Sequence, residues 1–158
     1  WGYMVENGAT TCWEQWNGYF SQIHSCFPYI GGWFYRGLAG IQWDPEAPGF
    51  KNVTLRPGLV DSVSWVKCGY DSHYGRIESN WKIEEGNLEW NIIVPPNSTA
   101  TVYFPSESPK SITESGKPVD NVKGVDFDRS ENGYSIYKVQ SGKYDFAGKL
   151  TDRKITRF

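Results

Sequence analysis

The chain has 158 residues, is 22% charged and carries a formal charge of -2 at pH 7, so it offers no electrostatic footprint for nucleic acid or an anionic membrane surface, and neither is expected as a partner. That length can bury a real core and allows a small domain plus an appendage. No apolar run approaches the ~20 residues needed to span a bilayer, and no basic-then-apolar signal segment opens the chain.

Composition divides the chain. The first 50 residues hold 13 of the 26 aromatics, one basic residue (Arg36) and four acids, Glu6, Glu14, Asp44 and Glu46; the other 108 hold 15 basic and 14 acidic groups. So much apolar surface with so little charge must pack against something. The chain opens on Trp1 rather than Met, and a missing start region is the expectation. The compartment therefore stays unknown. Cys12, Cys26 and Cys68 make an odd count without C-x-x-C spacing. They read as free thiols, with no disulfide framework, zinc site or other metal, and no cofactor.

Taken in order, residues 1–23 are rich in Gly, Asn and Thr and read as loop, with a helical turn near Tyr3 or Trp13. Residues 24–40 read as a helix. Pro28 suits its first turn, Ile30, Trp33, Phe34, Leu38 and Ile41 recur at three- and four-residue spacing, and Gly40 is the stop signal. Its other face carries Gly31, Gly32, Gly37 and Ala39, so the helix is expected to pack on several sides, against partners this sequence does not supply. Without them, the face bearing Trp33, Phe34 and Leu38 is expected to drive self-association.

A linker follows at 43–50, where Pro45, Pro48 and Gly49 break any helix. Beyond it the period changes to two. Val53 and Leu55, then Val63, Trp65 and Val66, belong to short extended runs. Residues 77–83 alternate, Glu85–Asn87 supplies a turn before 88–94, and Ala100, Val102 and Phe104 alternate again. The runs 134–139 and 143–146, joined at Ser141 and Gly142, read as a closing hairpin. Seven or eight such strands indicate an antiparallel sandwich, with Trp65, Trp81 and Trp90 as core and Tyr70, His73 and Tyr74 available to an interface. The division is thus 1–43, 44–148 and a polar tail at 149–158.

The unusual stretch is Gly8-Ala-Thr-Thr-Cys-Trp-Glu-Gln-Trp-Asn-Gly18. A carboxylate between indoles suits a sugar site, where apolar faces meet ring C–H surfaces and an acceptor meets hydroxyls or water. Glu14 is therefore a site candidate. The residues alone also allow it to cap a backbone or pair with Arg36, and allow His24 to be a satisfied core histidine.

The run Ala9-Thr-Thr-x-Trp-Glu-x-Trp16, then Ser21-x-x-His24 leading to Trp33-Phe-Tyr-Arg-Gly-Leu-Ala-Gly-Ile41, resembles the end of the six-hairpin helical barrel of bacterial α-L-rhamnosidases. Pro48-Gly-Phe-Lys51 to Leu55-Arg-Pro57, Tyr74-Gly-Arg-Ile77 with Trp81-Lys82, and Pro96-Asn-Ser-Thr-Ala-Thr-Val-Tyr103 resemble that family's C-terminal domain. The resemblance implies a mainly β chain: an antiparallel β-sandwich preceded by a helical remnant of an (α/α)6 barrel.

It also implies a fragment of an inverting glycoside hydrolase that releases terminal α-L-rhamnose from a glycan or glycoside, inactive without the missing barrel in cis. Glu14 matches the general base and His24 a sugar contact; of Trp13, Trp16 and Trp33, any of which could wall the sugar's ring and C6 methyl, Trp16 is the choice. No Glu or Asp here matches the general acid, which lies earlier in the barrel. The compartment stays unknown, with a periplasmic or extracellular location compatible with the sequence. The chain departs from the family at Ile23, Pro28-Tyr29 and Gly32, beside the expected sugar contact. A carbohydrate-binding or structural sandwich module, and another glycosidase or phosphorylase activity on the same barrel, remain open on the sequence.

Overall fold

The computed structural model describes residues 1–25 and 29–150. The expectations placed on Cys26, on Pro28 and on the tail beyond residue 150 lie outside the described residues. Contacts divide the chain into two units, Trp1–Phe34 and Tyr35–Phe158.

In the first unit, α1 (Gly2–Glu6) is the turn expected near Tyr3, with Met4 as its buried residue. Around Trp13 the backbone is not helical. The main helix is shorter than its pattern: Ile30–Trp33 forms α2, and Phe34–Leu38 is wound as a π-helix. His24 stays outside it, on the preceding loop, where its N–H donates to the Cys12 carbonyl at 2.8 Å.

The second unit is a sandwich of two sheets. Its strands are β1 (Ile41–Trp43), β2 (Asn52–Leu55), β3 (Trp65–Ser72), β4 (Gly75–Glu84), β5 (Asn87–Val94), β6 (Thr99–Phe104), β7 (Thr113–Glu114), β8 (Lys117–Pro118), β9 (Val125–Glu131), β10 (Tyr134–Val139) and β11 (Gly142–Lys149). One sheet runs β1-β2-β6-β10-β9 and the other β3-β4-β5-β11-β7-β8. Pairing is antiparallel except between β2 and β6, which run parallel. Parallel neighbours need a long crossover, and here it is the three strands β3 to β5 in the opposite sheet.

Three expectations are corrected. β10 and β11 are not a hairpin, since β10 pairs with β6 and β9 while β11 pairs with β5 and β7. The connection at Ser141 is a corner between sheets, and a short turn after an alternating strand serves either purpose. Ile41–Trp43, assigned by sequence to the barrel side of the linker, pairs with β2 as a sheet edge. Trp81 and Trp90 are core at 2% and 0% exposure, but Trp65 is 61% exposed, because its register with Lys82 puts it on the outer face.

The core lies between the sheets and is filled by Trp81, Trp90, Phe104, Tyr137 and Phe146 among aliphatic residues from both inner faces. Burial raises the Tyr137 hydroxyl from 10.0 to about 12, with the charge of Asp120 adding to the shift and the Ser135 hydroxyl opposing it. A phenol whose pKa is raised by folding ionises first in the unfolded chain. Its contribution is therefore complete below pH 10.0 and is lost as pH climbs toward about 12. We expect Tyr137→Phe to match the wild type in urea unfolding at neutral pH and to lose less stability than the wild type near pH 11.

The sandwich also finishes the helix. The last carbonyls of any helix lack intrahelical donors, and here those of Arg36, Gly37 and Leu38, like those of Ala39 and Gly40 just beyond, find donors outside it. Arg36 O accepts from Gln42 Nε2 at 3.0 Å, Gly37 O from Gly58 N at 2.9 Å and Leu38 O from Trp81 Nε1 at 3.2 Å. Ala39 O accepts from Ser79 Oγ at 2.7 Å, and Gly40 O from Arg56 N at 2.9 Å. Ser79 Oγ in turn accepts from Trp90 Nε1 at 3.0 Å. Two core tryptophans are thereby tied by their N–H groups to the point where helix becomes sheet.

Candidate functional site

Glu14 sits on a loop held by its own backbone. Its N–H donates to Ser21 O at 2.8 Å, and His24 N–H donates to Cys12 O at 2.8 Å; the Thr11 hydroxyl donates to Gln22 O. Residues 11–14 and 21–24 thus run side by side. Gly18 lets the turn between them close with φ +72, and a Cβ there would reach the Trp13 ring at 3.4 Å. The Trp13 side chain is therefore loop packing, while Glu14 and Trp16 face elsewhere.

The Glu14 carboxylate is anchored but not consumed. Oε2 accepts the Ser21 N–H at 3.3 Å and lies 3.8 Å from His24 Nδ1, with side-chain exposures of 39% for Glu14 and 33% for His24. Trp1, Met4, Glu14 and Trp16 line a cavity of about 150 Å³. Trp16 is exposed, and its indole meets the Tyr3 ring edge-on at 6.5 Å between centroids.

A carboxylate on an aromatic cavity wall, steadied by one backbone donor and keeping lone pairs for more, can accept a proton from water or hydrogen-bond a hydroxyl. The loop brings together the three residues singled out by sequence, with Glu14 adjacent to both His24 and Trp16. Trp1 and Met4 were missed as cavity walls. The only signal for Met4 was its place in an expected helical turn, and for Trp1 there was none.

A loop carboxylate among indoles, a helical segment after it and then a β-sandwich fit the end of a six-hairpin glycosidase with its C-terminal β domain, and the family matches show it. Residues 1–38 match the bacterial alpha-L-rhamnosidase 6 hairpin glycosidase domain, and residues 40–118, half of the chain, match the bacterial alpha-L-rhamnosidase C-terminal domain. The chain belongs to the bacterial α-L-rhamnosidase family.

An alpha-L-rhamnosidase of Streptomyces avermitilis is 31% identical over 92% of this chain and 14% of its own length. The crystal structure of the alpha-L-rhamnosidase of that species complexed with L-rhamnose superposes with a TM-score of 0.78 at 29% identity, covering 94% of this chain and 15% of that one. The alpha-L-rhamnosidase of Dictyoglumus thermophilum superposes at 0.77 with 32% identity, covering 94% and 17%. The chain therefore spans about one sixth of the length of these proteins.

Proposed function

We propose that this chain is the C-terminal part of an inverting α-L-rhamnosidase in which Glu14 is the general base. In an inverting glycosidase a carboxylic acid protonates the departing glycosidic oxygen while a carboxylate on the opposite face takes a proton from water. The two stand ~6.5–9.5 Å apart to admit that water. The water oxygen bonds to the anomeric carbon as the bond to the aglycone breaks, releasing rhamnose of inverted configuration.

The observation that carries the reading is the position of Glu14 on the cavity wall beside Trp16, held by Ser21 N–H. His24 is assigned a hydroxyl of the sugar, and Trp16 the apolar side of its ring and C6 methyl. The other carboxylate is assigned to the remainder of the barrel. Glu6, on the exposed end of α1, has nothing to recommend it.

Two measurements follow for the 158-residue protein by itself. We expect no release of aryl alcohol from an aryl α-L-rhamnoside, because proton donation to the leaving oxygen has no group to perform it; turnover comparable to a full-length relative overturns the assignment. We also expect self-association, through Ile30, Trp33 and Phe34, all exposed. Leu38 is excluded from that face, since it packs against the sandwich core. Sedimentation velocity over a concentration series checks this, and a clean monomer throughout counts against it.

A further inference from the structure

The outer face of β3, β4 and β5 carries a second arrangement of indole and polar groups, and we infer that it is a binding surface for a neutral pyranose unit of a glycan. Strand register aligns Trp65 with Lys82 and Lys67 with Asn80, and then Lys82 with Glu89 and Asn80 with Asn91. These two adjacent rows line a groove of about 240 Å³. That is below the ~300–1,000 Å³ of sites for drug-sized ligands, leaving room for about one ring.

Burial separates this tryptophan from its neighbours. Trp81 and Trp90 fill the core, whereas Trp65 is 61% exposed at the end of an edge strand. An exposed indole costs apolar surface left in water, and the groups around it are those a sugar uses. The ring accepts the C–H face of a pyranose, and the polar rows meet its hydroxyls. Both amides are oriented in advance. Asn80 Oδ1 accepts Cys68 N–H at 3.0 Å and its Nδ2 donates to Glu78 Oε2 at 3.0 Å, and Asn91 Nδ2 donates to Asp145 Oδ1 at 2.6 Å. Each Asn amide has two N–H donors and two acceptor lone pairs, so these bonds leave capacity for a ligand.

Charge selects among ligands. Lys67 and Lys82 are opposed by Glu89, and Lys82 Nζ is paired with Glu84 Oε2 at 2.6 Å, so no single-sign field draws an anion. A protein partner is disfavoured because one tryptophan ringed by polar side chains lacks the apolar centre of a stable interface. The inference does not rest on the role given to Glu14, since none of these residues belongs to the unit that carries it.

The test is calorimetric titration of the 158-residue chain with methyl α-L-rhamnopyranoside and with xylohexaose. Saturable binding to either probe is expected, weakened ~10-fold or more by Trp65→Ala, partly retained by Trp65→Phe and weakened less by Asn91→Ala. Trp65→Ala should keep the wild-type melting temperature, since the side chain packs little. Absence of saturable binding to both probes overturns the inference, as does binding that survives Trp65→Ala undiminished.

Discussion

With Glu14 as the proposed general base, Glu14→Gln in the intact protein is expected to lower kcat on an aryl α-L-rhamnoside by ~10²–10⁴-fold, the range for losing such a base, with little change in KM. The substitution is nearly isosteric. Its amide oxygen can still accept the Ser21 N–H that Glu14 Oε2 accepts at 3.3 Å, so the loop should keep its shape, but an amide cannot take a proton from water. This separates the catalytic reading from the capping one. If Glu14 only braces the loop, Glu14→Gln leaves kcat untouched and Glu14→Ala lowers stability. If it is the base, Glu14→Ala regains part of its turnover with azide, a nucleophile that needs no proton removed. Wild-type kcat in the Gln variant sinks the mechanism.

Glu14, His24 and Trp16 were singled out one by one, and Glu14 lies near the other two because the loop is local: Cys12, Glu14, Ser21 and His24 are joined across it. The walls supplied by Trp1 and Met4 were not, since a cavity depends on how a neighbouring turn packs and leaves no period in the sequence.

The same distinction runs through the sandwich. Strands β4 and β5 alternate in sequence as they do in burial, whereas β6 and β10 each bury three consecutive residues and β9 buries only Val125, so these give no clean alternation to read. Trp65 and Val66 are adjacent large apolar residues, and a period of two must send one of them outward. Only the pairing of β3 with β4 decides which.

Gly40 is where local and tertiary demands coincide, and Gly40→Ala is the stability change with the largest expected effect. As a stop signal the glycine was expected from sequence, and its φ of +76 agrees. An alanine in that left-handed conformation costs ~1–2 kcal/mol by itself. The sequence does not disclose the second demand. A Cβ at this position would lie 2.2 Å from both C and O of Arg56 and 2.4 Å from Pro57 N, all backbone atoms that no rotamer change can move aside. Relief requires the 56–58 segment to withdraw, which breaks the Arg56 N to Gly40 O and Gly58 N to Gly37 O bonds at ~1 kcal/mol each. The sum, ~3–4 kcal/mol, lies at the upper end of single substitutions. At ~4 °C per kcal/mol for a domain of this size, the melting temperature falls by on the order of 15 °C. Gly49→Ala is the control, since it has a similar φ of +77 but no atom within 4 Å of the added Cβ, and it should show only the conformational part. Equal losses from the two variants would mean that the close approach of Arg56 to the helix end contributes nothing to holding the sandwich together.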